Sequence, residues 1–315
     1  MSLNRANVSG GRYEDAEPSK QPVADDAVKI PKATDDLPSK LFKEDIQPKP
    51  AQVGSTQIVL QRHGLYERDK HSEIVGSLPP ESAQAEYEAA FNYFDAYLSS
   101  LSEEERSAVE ILVVASDTQY FSGGRRSLET ATLAQRAAEE VLRKYGLPED
   151  KIINNTGRLN GEGNPRTMPK LREPNFINES PDFLDFMLDK YGGINLEFWV
   201  AFEEDHHKDI REQMGAEGPD DIADRTAFTI RVLARYAAAF HRANPGNRLI
   251  IWGSTHYDTI SPFVKRDIFG ESKEKQLFVD YGGGLTIDID PAGHATTELG
   301  GRKYTVRTKK ERTNS

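Results

Sequence analysis

Residues 57–64 read Gln-Ile-Val-Leu-Gln-Arg-His-Gly. The apolar centre of this stretch is rich in β-branched residues and is followed closely by a glycine, which predicts a buried strand that runs directly into two basic side chains. Similar apolar runs occur at 111–115 (Ile-Leu-Val-Val-Ala) and at 248–252 (Arg-Leu-Ile-Ile-Trp). These three runs are therefore the predicted central strands of a sheet.

Helical patterns separate the three predicted strands. Apolar residues recur there with a period of about 3.6 residues, which is typical of amphipathic helices. The predicted helices cover 81–100, 127–145 and 221–242, with shorter ones over 181–191 and 198–211. Short strands joined by Gly-rich turns are predicted over 276–280, 285–289 and 303–307. This alternation predicts the α/β class: a three-layer α/β/α sandwich with a mostly parallel central sheet and a small C-terminal β appendage.

Residues 1–52 differ in composition from the rest of the chain. They hold six of the 17 prolines, with interleaved Asp and Lys and little apolar spacing. This composition predicts a disordered or loosely docked N-terminal tail, followed by a single domain over 53–315. A second interpretation, in which part of the tail is a docking segment, rests on a short apolar patch formed by Leu37, Leu41, Phe42 and Ile46.

The composition limits the possible classes of function. The 315 residues carry 40 Lys and Arg against 51 Asp and Glu, a formal net charge of -11, and no cysteine. A thiol nucleophile, a disulfide scaffold and a thiolate zinc site are therefore excluded, and nucleic acid and membrane are not expected partners. No apolar stretch reaches the roughly 18 residues that a bilayer span needs. The N-terminus lacks the apolar core of a signal peptide, so we expect a cytoplasmic protein.

Basic residues follow the predicted strands at the edge where ligands bind in α/β sheets. Arg62 and His63 come directly after the first strand, and His256 follows the third strand through Ser254 and Thr255. Arg126 opens the helix that follows the second strand. The carboxyl ends of parallel strands meet at one edge, beside helix N-termini that favour anions. The sequence therefore predicts an anion site built from histidine and arginine.

At this point the chain resembles the histidine phosphatase superfamily, whose members share the phosphoglycerate mutase-like fold. Four of its motifs occur in the family's order over residues 57 to about 290. They are Arg62-His63-Gly64; Ser122 with Arg126, Glu129, Thr130 and Ala131; Leu171-Arg172-Glu173 with Phe176; and Ser254-Thr255-His256. An isolated Arg-His-Gly would be weak support, whereas the ordered set is specific.

The resemblance implies a role for each of the five matching residues. His63 would attack phosphorus and become phosphohistidine, while Arg62, Arg126 and His256 would bind the phosphoryl group. Glu173 would be the general acid and base. No metal ion or other cofactor is expected. Two alternatives stay open on sequence alone, namely Glu162 in place of Glu173 and Arg125 in place of Arg126.

The chain also departs from the family's pattern. Leu65 and Tyr66 replace the common residues after Arg-His-Gly, and Ile177 stands where a glycine is usual. About six additional residues precede Ser122, and Tyr257-Asp258 replaces the usual glycine pair after the last histidine. These departures concern the substrate pocket, for which the candidate contacts are Tyr66, Arg68, Arg158 and Asp258. Residues 154–218 are the predicted substrate-lid insertion.

The expected activity is hydrolysis of phosphate monoesters, with a phosphorylated small molecule as substrate. A phosphoglycerate mutase-like phosphotransferase and a non-catalytic module that binds a phosphorylated ligand are the alternatives. The sequence leaves the oligomeric state and the natural substrate open. Two other patterns have structural interpretations: Glu203 to His207 as a solvated acidic face rather than a metal site, and Gly282-Gly283-Gly284 as a tight turn rather than a phosphate loop.

Overall fold

The centre of the structure, a computed structural model, is one seven-stranded sheet. Residues 38–49, 52–69, 71–119, 123–156, 163–270 and 276–307 are described. Their strands are β1 (Lys40–Leu41), β2 (Thr56–Arg62), β3 (Val109–Ala115), β4 (Arg166–Thr167), β5 (Arg248–Thr255), β6 (Phe278–Val279), β7 (Gly284–Ile289), β8 (Ala295–Leu299) and β9 (Arg302–Val306). The order across the sheet is β4-β3-β5-β2-β7-β8-β9, and β1 pairs separately with β6.

Eight α-helices are found among the described residues. They are α1 (Pro80–Ser99), α2 (Glu103–Ser107), α3 (Arg126–Lys144), α4 (Pro181–Tyr191), α5 (Leu196–Glu203), α6 (Lys208–Gln213), α7 (Pro219–Ala243) and α8 (Tyr257–Phe263). Short 3-10 helices cover Lys43–Asp45, Glu149–Lys151, Ile153–Thr156, Pro169–Leu171 and Asn175–Ile177, and a π-helical turn over Val264–Ile268 continues α8. Within this part of the chain no helix is both long enough and apolar enough to cross a membrane.

The three layers follow from the alternation of side chains along the strands. Val59, Val113 and Trp252 point to one face of the sheet, where they pack against α1 and α3. Leu60 and Ile251 point to the other face, where they pack against α7 and α8. Successive strand residues face opposite sides, so a continuous apolar run is buried on both. The predicted three-layer α/β/α sandwich is confirmed, with its long helices close to their predicted bounds.

The sheet is parallel on one side of β2 and antiparallel on the other. Strands β4, β3, β5 and β2 run parallel, with Ile58 of β2 opposite Ile251 of β5. Strands β7, β8 and β9 continue the same sheet in antiparallel fashion, beginning with Ile287 opposite Ile58. Of the strands that the sequence assigns to a small appendage, those predicted at 285–289 and 303–307 therefore extend the central sheet, whereas the one predicted at 276–280 pairs with β1.

The described residues include part of the chain upstream of the predicted domain start. In β1, Lys40 and Leu41 pair in parallel with Phe278 and Val279. Leu41 is fully buried and Ile46 is buried at 9% exposure, whereas Phe42 is 43% exposed. Leu41 packs in the core beside Val279 of β6, and Ile46 packs in the core on the other face of the sheet. Of the other residues in the proposed docking patch, Phe42 is exposed and Leu37 lies outside the described residues. The remainder of the predicted tail, residues 1–37 and 50–51, lies outside the described residues.

Helices α4, α5 and α6 form an insertion with a small core of its own. This core is rich in aromatic side chains and includes Phe176, Phe183, Phe198 and Phe202. The sequence predicts one helix over 198–211, whereas the structure has two, α5 and α6. The break between them contains Asp205, whose φ of 55° is left-handed and interrupts the helical backbone.

Candidate active site

The predicted basic residues meet at the carboxyl edge of the parallel strands. His63 follows β2, His256 follows β5, and Arg126 is the first residue of α3. The rings of His63 and His256 have their centroids 5.1 Å apart. All three side chains are buried, with exposures of 3%, 1% and 3% respectively. Topology has thus gathered residues from three distant parts of the chain into one cluster.

The contacts of His63 define the tautomer of its ring. Nδ1 lies 2.7 Å from the carbonyl oxygen of Gly64, which can only accept a hydrogen bond. Nε2 lies 3.0 Å from Nε of Arg126, which can only donate. Nδ1 therefore carries the proton and Nε2 offers its lone pair. Burial, followed by the charge of Arg126, lowers the pKa of His63 well below its usual 6.5, so the ring is neutral at neutral pH.

Arg126, rather than Arg125, enters the cluster. Arg125 is exposed and donates to the side chain of Gln119 at 3.3 Å. Arg126 donates through Nε to His63 and pairs through Nη2 with the carboxylate of Glu173. Burial opposes its charge, but Glu173, Tyr66 and Asp258 together outweigh burial and raise the pKa of Arg126. Ser122, which accompanies Arg126 in the motif, lies outside the described residues.

Glu173 faces both basic residues of the cluster. Its Oε1 contacts Nη2 of Arg126 and lies 3.5 Å from Nδ1 of His256. The side chain is 11% exposed, which leaves the carboxylate a narrow access to solvent. The competing candidate, Glu162, lies outside the described residues.

The loop over 170–173 that carries Glu173 is fixed by hydrogen bonds to its backbone. Thr255 and Thr259 donate to the carbonyls of residues 171 and 172 at 2.6 and 3.0 Å. Arg225 of α7 donates to the carbonyls of residues 170 and 173 at 2.7 and 3.1 Å. Thr118 accepts from the backbone N–H of Glu173 at 3.1 Å. Backbone groups of this loop thus have hydrogen-bond partners, as they would in a helix or strand.

His256 occupies the N-cap position of α8, but its side chain makes no capping hydrogen bond. Instead, Nε2 lies 3.0 Å from Oγ of Ser116 and 3.2 Å from Oγ of Ser127. Nδ1 is buried and has no hydrogen-bond partner among the described residues. Burial and the charges of Arg126 and Arg225 lower the pKa of His256 well below 6.5. A neutral ring with a buried, unsatisfied nitrogen toward Glu173 suits a polar ligand.

Arg62 is clamped between a carbonyl and aromatic rings. Its Nη1 donates to the carbonyl of Val279 at 2.6 Å. The guanidinium carbon lies 3.7 Å from the ring centroid of Tyr281 and 5.6 Å from that of Tyr257. Stacking on an aromatic face favours a fixed orientation of a guanidinium group. Nε of Arg62 is buried and, within the described structure, has no hydrogen-bond partner.

Asp258 lies beneath the cluster, in the first turn of α8. It is 3% exposed, and its Oδ1 accepts a hydrogen bond from the hydroxyl of Thr259 at 3.4 Å. Burial and the nearby Glu173 carboxylate raise its pKa from 3.8 to about 8. The described hydrogen bonds of the His256 ring are with the hydroxyls of Ser116 and Ser127, and none joins it to Asp258. Asp258 does not cap α8, because His256 holds the N-cap position. The role of Asp258 as a substrate contact stays a prediction.

Tyrosine and arginine side chains surround the opening beside His63. The ring centroids of Tyr66 and Tyr281 lie 5.4 and 5.8 Å from that of His63. Arg68 contacts the hydroxyl of Tyr281 and lies 5.3 Å from the Tyr66 ring. Two candidate substrate contacts, Tyr66 and Arg68, are thus at the site. The third, Arg158, lies outside the described residues.

Sequence reasoning missed Ser116, Ser127, Thr118, Arg225 and Tyr281. Ser116 and Thr118 follow the end of β3, so the rule that ligands gather at strand ends would have found them. Arg225 gave no signal, because it lies within the long amphipathic α7. Tyr281 belongs to a turn whose pairing partners are far away in sequence.

Two sequence patterns outside the motifs are resolved by the structure. Glu203 is 2% exposed and contacts α8, so its solvated-face interpretation is wrong, while His207 contacts Tyr191. The tight-turn interpretation of 282–284 is confirmed: Gly282 has a φ of 71°, and its N–H donates to the carbonyl of Arg62 at 3.1 Å. A Cβ at Gly284 would lie 1.9 Å from the carbonyl oxygen of Leu60, so only glycine allows this approach.

Comparison with known proteins gives matches among solved structures only. No protein-family model matches the chain, and no curated protein does. The structure of phosphoglycerate mutase from Bacillus anthracis is 18% identical, with a TM-score of 0.43 over 78% of this chain and 92% of that one. Mycobacterial glucosyl-3-phosphoglycerate phosphatase is 16% identical, with a TM-score of 0.41 over 78% of this chain and 98% of that one. Identities and TM-scores this low say nothing about activity, so function is inferred from the site.

Proposed function

We propose that this chain is a metal-independent phosphatase of the histidine phosphatase type, which hydrolyses phosphate monoesters through a phosphohistidine on His63. The observation that carries the proposal is the buried, neutral His63 ring, whose Nε2 lone pair faces the guanidinium of Arg126. A second histidine, a carboxylate and Arg62 complete the set around it. A nucleophile with fixed tautomer among cationic donors is what transfer of a phosphoryl dianion requires.

In the first step the substrate phosphoryl group replaces the Glu173 carboxylate as partner of Arg126, and the displaced carboxylate takes up a proton from solvent. Nε2 of His63 attacks phosphorus, forming a nitrogen–phosphorus bond as the bond to the ester oxygen breaks. Glu173 gives its proton to the leaving oxygen, and the leaving group departs as the free alcohol. Arg62, Arg126 and His256 donate to the equatorial oxygens, where the unsatisfied Nε of Arg62 and Nδ1 of His256 gain partners.

In the second step water replaces the alcohol. The Glu173 carboxylate removes a proton from that water, which attacks phosphorus as the bond to Nε2 breaks. Inorganic phosphate leaves, and His63 returns to the neutral tautomer that its contact with the Gly64 carbonyl maintains. Arginine side chains supply the positive charge in both steps, so the scheme requires no metal ion.

The experiment is p-nitrophenyl phosphate hydrolysis from about pH 4 to about pH 8 with EDTA present. We compare the wild type with His63→Ala and with His206→Ala, an exposed histidine of the insertion as matched control. We expect wild-type turnover in EDTA, a loss of at least about 1000-fold in His63→Ala and no change in His206→Ala. Because the pKa of His63 lies well below 6.5, kcat/KM should not fall as the pH is lowered from neutral to below 6.5.

Undiminished turnover in His63→Ala would contradict the proposal. If neither protein turns over, orthovanadate binding to the wild type would indicate the binding-module alternative or a pocket that rejects this substrate. Transfer of the phosphoryl group to an added sugar or glycerate acceptor, in preference to water, would indicate the phosphotransferase alternative.

A further inference from the structure

A buried carboxylate outside the phosphate cluster joins the insertion to the main core. Glu203 is the last residue of α5 and is 2% exposed. Its carboxylate contacts the hydroxyl of Tyr257, lies 3.0 Å from Oγ of Ser261 and lies 3.1 Å from Nζ of Lys265. All three partners belong to α8 and its π-helical continuation, and all are buried.

The spacing of these partners shows that the contact runs along one helix face. Tyr257, Ser261 and Lys265 follow one another at intervals of four residues, which places them on one side of a helix. The single carboxylate of Glu203 therefore contacts successive turns of α8 and its π-helical continuation. That helix begins directly after His256, so its placement also determines where the His256 ring lies.

Tyr257 provides a second route from this carboxylate to the phosphate cluster. Its hydroxyl contacts Glu203, while its ring lies 5.6 Å from the guanidinium carbon of Arg62. The same ring lies 5.8 Å from that of Trp199 in α5, in an edge-to-face arrangement. Tyr257 is thus held between the insertion and the proposed phosphate site.

Stability alone is a poor explanation for this carboxylate. Burial raises the pKa of Glu203 despite the opposing charge of Lys265, so the site bears the cost of a desolvated charge. Buried ion pairs contribute little net stability, and their best-attested use is to fix one geometry among several. The geometry that this pair fixes is the junction of α5 with α8.

We propose that Glu203 is a positioning residue, which holds the insertion against α8 and, through Tyr257, sets the placement of Arg62 and His256. The inference rests on the proposed function, because it concerns the same phosphate site. It extends that function by making the insertion part of the phosphate-binding apparatus.

The test compares Glu203→Gln with Asp205→Asn. Asp205 forms a similarly buried ion pair with Arg211 at 2.8 Å, but both members belong to the insertion. For Glu203→Gln we expect kcat/KM for p-nitrophenyl phosphate to fall about 10- to 100-fold and orthovanadate Kd to rise about tenfold or more. For Asp205→Asn we expect both quantities within about threefold of wild type, with lowered thermal stability alone.

A readout that is independent of turnover comes from Trp199. The chain has two tryptophans, and the other, Trp252, lies in the core at 1% exposure. We expect the emission of Glu203→Gln to shift to longer wavelength because Trp199 loses its packing on Tyr257. The shift should be absent when Trp199→Phe is added. Tyr257→Phe removes one contact of the carboxylate without a charge change and should reproduce the weakened orthovanadate binding.

The outcomes separate this inference from the proposed function. Wild-type Kd, KM and kcat in Glu203→Gln and Tyr257→Phe would overturn the positioning role while leaving the phosphatase proposal in place. Equal losses in Glu203→Gln and Asp205→Asn would also overturn it, because they would indicate general damage to the insertion. If the wild type binds orthovanadate without turnover, the comparison of Kd values still decides the positioning role. If the wild type neither hydrolyses p-nitrophenyl phosphate nor binds orthovanadate, the proposed phosphate site is overturned, and this inference is overturned with it.

Discussion

At the scale of single residues, adjacent and chemically identical side chains have different environments. Arg125 and Arg126 differ by one position, yet the first is exposed and the second is buried against His63 and Glu173. The direction of α3 decides which guanidinium enters the cluster. Which of the two arginines lies beside His63 therefore depends on the register of α3. A shift of one residue along this helix would move Arg126 out of the cluster.

This difference predicts the outcome of a matched pair of substitutions. We expect Arg126→Ala to lower kcat/KM for p-nitrophenyl phosphate by about 100- to 1000-fold, because a charge donor to the phosphoryl oxygens is lost. Arg125→Ala should stay within about threefold of wild type. Steady-state kinetics on both variants checks the prediction, and equal losses would show that Arg126 has no special role.

Asp258 gives a prediction on stability and pH. Its folded pKa is raised from 3.8 to about 8, so between these values the folded state binds a proton that the unfolded state lacks. Wild-type stability therefore falls as pH rises through this window, by about 1.4 kcal/mol per pH unit for a single group. Asn does not titrate, so the free energy of unfolding of Asp258→Asn relative to wild type should increase with pH up to about 8.

Urea unfolding at several pH values within that window checks this expectation. The control is Asp182→Asn, which changes an exposed aspartate of α4. A stability difference between wild type and Asp258→Asn that does not vary with pH would show that the carboxyl of Asp258 is ionised throughout.

At the scale of elements, short segments complete the sheet and support the site. Strand β1 pairs with β6, whose Val279 accepts from Arg62. In the same segment, Lys43 pairs at 2.8 Å with the buried Glu86, whose carboxylate also accepts from Gln61 of β2. The segment 38–49 is thus part of the structure beneath the Arg62-His63 turn.

Substitutions within this segment test its role in stability. Leu41 is fully buried, so Leu41→Ala should lower the free energy of unfolding by about 2 to 5 kcal/mol. The neighbouring Phe42 is 43% exposed, so Phe42→Ala should change it by no more than about 0.5 kcal/mol. Chemical denaturation of both variants makes the comparison. A loosely docked tail would give two equally small effects.

At the scale of the whole molecule, overall charge and local charge have opposite signs. The chain carries a formal net charge of -11, yet Arg62, Arg126 and Arg225 all lie close enough to His256 to lower its pKa. A local cluster of this kind attracts a small dianion at short range, where the field of the whole molecule matters less. A long polyanion would instead meet the negative surface.

This contrast predicts that the protein does not bind nucleic acid. We expect no change in the fluorescence anisotropy of a labelled DNA duplex at about 150 mM salt, up to protein concentrations of about 0.1 mM. Orthovanadate binding to the same preparation is the control for an intact site. Duplex binding with a micromolar Kd would contradict the prediction and would indicate a basic surface elsewhere.

The layers of the fold and the main members of the candidate site were predictable from the amino-acid sequence. Continuous apolar runs, such as that of β3, specify strands buried on both faces, and a period of about 3.6 specifies the helices that cover them. Arg62, His63 and His256 were predictable because they follow such strands directly, and Arg126 and Glu173 came from the ordered motifs.

Tertiary structure alone decided which residues surround that set. Several of these side chains contact partners that are distant in sequence. They are the hydroxyls of Ser116 and Ser127, the ring of Tyr281 and the carboxylate of Glu203. No local pattern encodes such contacts, because they depend on how helices and turns pack across the sheet. The same holds for segment 38–49 and for β7, because β1 pairs with β6 and β7 pairs with β2, each far away in sequence.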